Sequence, residues 1–237
     1  MRIAILSDIH GNLEALTTII EKVENDNIDE IYCLGDVVGY GPNPNECVEI
    51  ISEKCSKVVI GNHDHAVLGL TSTEYFNDFA KISTFWTRNI LSEENQEFLK
   101  SLEFTFVDND ILLVHATPSN PMMWHYILSE IDARHELNHF EEKVCFIGHS
   151  HFPIVFHANG FSRKPKISLE QDLRYIVNVG SVGQPRDGNP KTCFCVYDSE
   201  AHEIEYIRLN YDVEKTKEKI VRAGLPVFLA ERLTKGY

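Results

Sequence analysis

Five short blocks carry residue types that bind metal ions or move protons, and each directly follows an apolar run. Asp8-Ile9-His10 follows Arg2 to Leu6, Gly35-Asp36 follows Ile31 to Leu34, and Gly61-Asn62-His63-Asp64 follows Val58 to Ile60. His115 ends the run Ile111 to Val114, and Gly148-His149-Ser150-His151 ends Val144 to Ile147. A lone histidine at a strand end is more often a hydrogen-bonded structural residue, and Asp8 alone reads equally well as a helix cap. Five apolar runs in a row ending this way point instead to one shared site. Asp8, His10, Asp36, Asn62, His115, His149 and His151 make seven donors, too many for one tetrahedral ion. If one carboxylate bridges, each of two ions receives four contacts, with room for a shared water. Imidazole and carboxylate donors without thiolate suit Mn, Fe, Ni, Co or Zn rather than Ca. Two divalent ions, two carboxylates and one hydroxide leave a weakly cationic pocket, which suits a small or locally presented phosphate.

Such a site needs a scaffold that gathers strand ends. Leu13, Leu16, Ile19, Ile20 and Val23 recur at helical spacing after the first run, and Cys47, Val48, Ile50 and Ile51 form a helical set after the second. Strand, helix, strand in this rhythm predicts right-handed crossovers and a parallel sheet, whose ligands bind beyond the carboxyl ends of the strands. Residues 71–102 read as helical, with Phe76, Phe79, Ile82, Phe85 and Trp86 as one packed face. Phe104 to Val107 and Ile111 to His115 flank Asp108-Asn109-Asp110 as a hairpin, and Trp124 to Phe140 reads as a second helical stretch. Asn159-Gly160 predicts a hairpin between Pro153–His157 and Phe161–Arg163. Arg174 to Val179, Thr192 to Asp198 and Glu203 to Leu209 read as antiparallel strands, and two short helices over 213–223 and 226–234 close the chain. With no repeat, linker or low-complexity segment, one domain over 1–237 is expected, with a helical insert at about 71–140 walling the active site.

Composition narrows the partners. Of 237 residues, 22 are Lys or Arg and 36 Asp or Glu, so 22 − 36 gives a formal charge of −14. That balance, without a Lys/Arg run, argues against a nucleic-acid binder, which needs a basic face. No apolar run approaches the ~20 residues that span a bilayer, and Ile3 to Leu6 is too short for an export leader. Cys33, Cys47, Cys55, Cys145, Cys193 and Cys195 form no C-x-x-C pair, and free thiols fit a reducing cytoplasm. A small phosphorylated substrate is the expected partner, with monomer and homodimer both open.

The order of the blocks resembles that of the calcineurin-like metallophosphoesterases, with all five present across residues 8–151. Asn178-Val179-Gly180-Ser181-Val182-Gly183-Gln184-Pro185-Arg186 resembles a segment of the family's small prokaryotic phosphodiesterase branch, some of whose members carry diadenosine-tetraphosphatase-like labels. The resemblance implies an α/β fold: a four-layer α/β/β/α sandwich of two mixed sheets. It also implies that Asp8, His10, Asp36 and His151 hold one metal and Asp36, Asn62, His115 and His149 the other. His63 would face the leaving oxygen, and Asn62 and Arg186 are candidate substrate contacts.

There is a departure from the family's protein phosphatases, which continue the second block as Gly-Asp-x-x-Asp-Arg-Gly. This chain reads Gly35-Asp36-Val37-Val38-Gly39-Tyr40-Gly41. Gly39 and Tyr40 stand where the phosphatases have an Asp that orients the catalytic histidine and an Arg that grips phosphate; Asp64 stands where they have Glu. Loss of that arginine should penalise a dianionic monoester more than a diester. Arg186 reads either as its substitute or as a surface turn residue, and Asp64 either as outer support for the ligands or as a helix cap. His65 reads as a neighbour of the site, and His125, His135, His139, His157 and His202 as surface or packing residues.

The expected activity is dimetal-dependent hydrolysis of phosphodiester or nucleotide-type phosphate bonds. Water acidified by both ions, as a bridging hydroxide, attacks phosphorus in line, and His63 protonates the departing oxygen as general acid. The alternatives are a phosphoprotein or phosphomonoester phosphatase, a nuclease, and a catalytically silent scaffold on the same fold. The complete set of donors together with His63 counts against the scaffold.

Overall fold

The computed structural model describes residues 1–237. Apolar runs of four or five residues without helical periodicity form strands buried on both faces. β1 (Arg2–Leu6), β2 (Glu30–Cys33) and β3 (Lys57–Val58) pair in parallel, joined by α1 (Leu13–Asn25) and α2 (Pro44–Lys54). Asn12 starts α1 by accepting the Ala15 N–H at 3.2 Å, and Pro44 opens α2, where its missing N–H leaves nothing unpaired. After β3 come α3 (Asn62–Val67), α4 (Asp78–Ile90) and α5 (Glu93–Lys100). β4 (Thr105–Asp108) and β5 (Ile111–Val114) form the expected hairpin, followed by α6 (Glu130–Glu136) and β6 (Val144–Ile147). β7 (Ile154–His157) and β8 (Gly160–Ser162) pair across Asn159-Gly160. The chain ends with β9 (Lys166–Ser168), β10 (Tyr175–Asn178), β11 (Thr192–Asp198), β12 (Glu203–Leu209), α7 (Val213–Arg222) and α8 (Val227–Glu231).

Two mixed sheets result, ordered β3-β2-β1-β11-β12-β9 and β4-β5-β6-β10-β7-β8. Alternation along β1 sends Ile3 and Ile5 between the sheets, against Tyr32, Leu34, Phe146 and Val177. Ala4 and Leu6 point the other way, under Leu16, Ile19, Val48 and Ile51 of α1 and α2. On the far side, Ala133 of α6 and the following Leu137 cover Cys145, Ile147 and Ile176. This is the expected four-layer α/β/β/α sandwich. The carboxyl ends of β1, β2, β5, β6 and β10 come out along one edge of the two sheets.

Several elements differ from the sequence reading. Residues 71–77 are turn rather than helix, because Ser72 and Asn77 bond their own backbone: Ser72 Oγ accepts from Glu74 N, and Asn77 caps α4 at Ala80 N. The aromatic stripe of α4 is not its buried face. Phe79, Ile82 and Phe85 are 37%, 49% and 50% exposed, while Ala80, Ser83, Thr84 and Thr87 are buried. Arg88 fixes that orientation by donating to the Ala66 and Val67 carbonyls at the end of α3, which turns the small residues inward. Of Trp124 to Phe140 only α6 is α-helical; Trp124 itself has φ +55, and the chain runs irregularly from it to Ser129. Residues 71–140 are therefore not one helical insert, since β4 and β5 within them belong to a sheet. β10 is antiparallel only to β7 and pairs in parallel with β6. β9, only three residues long, escapes the sequence reading.

Candidate dimetal site

All five blocks meet where the strands end. Asp8 N donates to Gly35 O at 3.0 Å and His10 N to Asp36 O at 2.9 Å, carrying the β1–β2 ladder past the strands. Gly148 N does the same toward His115 O at 2.9 Å. Asp8, His10, Asp36, His149 and His151 have φ of +55, +48, +51, +65 and +63, the left-handed region. That conformation costs a residue with a Cβ about 1–2 kcal/mol, and it persists where the surroundings impose it. Here it curls each loop so that residues two apart face the same point. Gly148 permits a close approach, because a Cβ there would lie 1.9 Å from Ser7 Oγ. The Asn178–Arg186 segment locks the loops from the other sheet: Val182 N donates to Ser7 O and Gly183 N to Asp8 O, each at 2.9 Å.

Two clusters form. Ligand atoms of Asp8, His10 and His151 all lie within 4.8 Å of one another, and so do those of Asp36, His115 and His149. His151 Nε2 is 3.2 Å from Asp8 Oδ1, and His115 Nε2 is 3.3 Å from Asp36 Oδ2. Asp36 Oδ2 is also 3.7 Å from His10 Nε2, so this carboxylate stands between the clusters. Asn62 Oδ1 lies 3.1 Å from His115 Nε2. The grouping coincides with the division implied by the resemblance.

The donor set fits a pair of cations. His10 Nδ1 donates to Val38 O at 3.1 Å and His151 Nδ1 to Gln184 O at 2.6 Å. A carbonyl only accepts, so each Nδ1 carries the proton, and each neutral ring presents an Nε2 lone pair inward. Burial lowers both imidazoles well below their ordinary range, which keeps them neutral. Their two Nε2 atoms face each other at 3.3 Å, and Asp8 Oδ1 beside them is buried without a hydrogen-bond partner. Lone pairs converging in this way call for a cation. His149 is reversed: its Nε2 contacts Trp124 O at 2.9 Å, leaving Nδ1 as the inward atom.

Around the clusters, His63 is buried among Tyr40, Phe76 and His10, with ring centroids 4.5, 4.8 and 5.0 Å away. Asp36 Oδ1 accepts the His63 backbone N–H at 2.7 Å. Burial lowers the His63 imidazole to about 4, although the Asp36 charge opposes this. Its Nδ1 has no partner; Gly39 lies against it where the phosphatases place a carboxylate, and a Cβ there would be 2.8 Å from Nδ1. Aromatic packing takes the place of an orienting carboxylate. Asp64 is an N-terminal cap that also ties loops together, accepting from Gly61 N at 3.1 Å and Val38 N at 3.0 Å. Arg186 is not a surface turn residue. It is partly buried, bonds Gln184 Oε1 at 3.0 Å, and sets its guanidinium 6.0 Å from the Tyr40 ring centroid. The sequence reading missed Tyr126, whose ring stacks on His149 at 4.0 Å, and Arg232, whose guanidinium is also 6.0 Å from the Tyr40 centroid. Neither lies in a block of ligand-type residues, so no local signal marks them.

Residues 1–202 match the calcineurin-like phosphoesterase superfamily domain. The chain belongs to that superfamily and is a hydrolase of the metallophosphoesterase class. A Methanocaldococcus jannaschii protein is 42% identical over 240 residues, which is 99% of this chain and 98% of that protein. The crystal structure of a metallophosphoesterase from Sphaerobacter thermophilus superposes with a TM-score of 0.91 at 35% identity, covering 100% of this chain and 99% of that one. A symmetrical bis(5'-nucleosyl)-tetraphosphatase of Pasteurella multocida is 27% identical over 186 residues; the match takes in 74% of this chain and 64% of that protein's length.

Proposed function

We propose that the protein is a dimetal-dependent phosphoesterase acting on phosphodiester or nucleotide-type phosphate bonds of small substrates, with residues 1–237 working as one domain. The facing Nε2 atoms of His10 and His151, 3.3 Å apart beside an unpartnered Asp8 oxygen, carry this reading. Asp8, His10, Asp36 and His151 would hold one ion, and Asp36, Asn62, His115 and His149 the other. The donor types suit Mn, Fe, Ni, Co or Zn. When bound, such ions supply Lewis acidity to water and to the phosphoryl oxygens.

The chain's own residues do the rest. His63, beside Asn62 and outside both clusters, offers a ring proton to the leaving oxygen. Burial disfavours its imidazolium, so the anionic charge of a bound substrate would be needed to raise the protonated form, while the flanking rings keep its direction fixed. The name borne by the Pasteurella relative supports a nucleotide-type substrate. Arg186 beside Tyr40 would offer a bound phosphate a positive group, in a different position from the arginine that the second block lacks. No helix is long and apolar enough to cross a membrane.

The test is to assay manganese-loaded protein on bis-p-nitrophenyl phosphate, p-nitrophenyl phosphate and a dinucleoside tetraphosphate. Hydrolysis of the diester or the tetraphosphate above the monoester, abolished by a chelator and restored by manganese, is expected. Protein that holds both ions and cleaves none of the three contradicts the proposal. A clear monoester preference would favour the phosphomonoesterase alternative.

A further inference from the structure

We propose that Arg232, from the C-terminal turn, pairs with Arg186 beside Tyr40 to bind a second phosphate next to the one being cleaved, which selects substrates carrying a chain of phosphates over simple diesters. This deepens the phosphoesterase reading and rests on it. Residues 203–237, which include Arg232, lie beyond the part of the chain that matches the superfamily domain.

The C-terminal segment is docked at the site. Thr216 Oγ1 donates to Asn12 Oδ1 at 3.1 Å, and Lys219 Nζ to Glu14 Oε1 at 2.6 Å and Asn43 Oδ1 at 3.0 Å, which pins α7 over the start of α1. Ile220, Leu225, Leu229 and Leu233 then bury the edge of Tyr40. That packing brings Arg232 to 6.0 Å from the Tyr40 ring centroid and 5.5 Å from that of Phe228. The Tyr40 ring is in turn 4.8 Å from His10 and 4.5 Å from His63. The arginine pair therefore stands one ring away from the candidate metal and proton-donor residues.

Both guanidiniums have donors to spare. Among the arginines, Arg134 and Arg208 have carboxylate partners, whereas Arg186 and Arg232 have none. Arg186 Nε is buried without an acceptor, and Arg232 donates through Nε to the main-chain oxygen of Tyr237, which leaves its terminal nitrogens unbonded. Burial and the nearby Arg186 together lower Arg232 to about 10. Two partly buried like charges, neither within 4 Å of a side-chain carboxylate, in a chain of net charge −14, form a receptor for an anion. The planar fork of arginine matches phosphate oxygens in pairs, and a group bound here would lie alongside the scissile phosphate.

The experiment compares kcat and KM for a dinucleoside tetraphosphate and for bis-p-nitrophenyl phosphate in manganese-loaded native protein, Arg232→Ala, Arg232→Gln and Arg232→Lys. Arg232→Ala and Arg232→Gln should raise KM for the tetraphosphate about 10- to 100-fold, the worth of a charged hydrogen bond, with kcat changed less than about threefold. KM for bis-p-nitrophenyl phosphate should stay within about threefold, and Arg232→Lys should recover part of the loss. Arg232→Gln keeps the stem over Phe228, so it stands in if the alanine variant does not fold. Equal effects on both substrates, or no effect on either, overturn the proposal. Should native protein cleave neither substrate, calorimetric binding of the tetraphosphate still decides: weaker binding in Arg232→Gln supports the arginine pair although the hydrolytic reading has failed, and unchanged binding refutes it.

Discussion

The His10–His151 half of the site and the Asp36–His115 half use the same residue types at the same depth, yet they bury charge in opposite ways. In the first half both imidazoles are neutral, and burial holds the Asp8 carboxyl up to about 7, so nothing is internally paired. In the second half, burial disfavours charge, but Asp36 and His115 stabilise each other: the carboxylate is held well below its usual range and the imidazole is pushed up to about 9. One half is a set of opposed lone pairs waiting for a cation. The other closes on itself as an ion pair that a cation must open. Similar donor lists therefore do not imply similar binding thermodynamics.

The largest effect is expected at the residue between the halves. Asp36→Asn should strip both ions together and lower turnover by more than about 10³-fold, as loss of a metal removes the nucleophile and the charge stabilisation at once. Elemental analysis of the variant checks this, and loss of a single ion would show that Asp36 serves one half only. His63→Ala should retain both ions and slow turnover by about 10² to 10⁴-fold. A p-nitrophenolate leaving group should suffer less than an alcohol. Equal losses for both would make His63 a stabiliser of charge rather than an acid, and a missing ion would place it among the ligands.

Proton linkage separates the halves directly. With a folded pKa near 9 against about 6.5 unfolded, the stabilisation from the charged His115 is fully present below pH 6.5 and is lost as pH rises through 9. An ion entering the second half must displace that proton, so its affinity should climb by about tenfold per pH unit between 7 and 9. The first half has no imidazolium to deprotonate, and Asp8 gives up its proton near pH 7, so its affinity should level off above that. Chelator competition at pH 7, 8 and 9 measures both, and parallel curves would remove the distinction.

The smallest effect concerns the setting of His63. Gly39 has φ +88 and lies against the imidazole, so Gly39→Ala should destabilise the fold by about 1–2 kcal/mol and reduce turnover with both ions retained. Unfolding curves and kinetics test this. Unchanged turnover would mean that the ring tolerates displacement.

The sheet scaffold was legible because its central strands are short, uniformly apolar and ended by Gly, Asp, Asn or His. The ligand candidates were legible because each lies at such an end. What the sequence conceals is set by contacts between distant segments. The buried side of α4 follows from Arg88 capping α3 rather than from its own aromatic stripe. Tyr126 and Arg232 reach the site through an irregular loop and a C-terminal turn, where neither period nor motif announces them. Arg186 reads either as a phosphate contact or as a surface turn residue until the backbone of Val182 and Gly183 is found hydrogen-bonded to the Asp8 loop.

The central claim is that the two clusters are two cation sites. Anomalous diffraction from crystals of the manganese-loaded protein tests it most directly. Two peaks are expected per chain, one bracketed by Nε2 of His10 and His151, the other by Nε2 of His115 and Nδ1 of His149. A map without a peak between His10 and His151, in protein shown by elemental analysis to be manganese-loaded, would contradict the account.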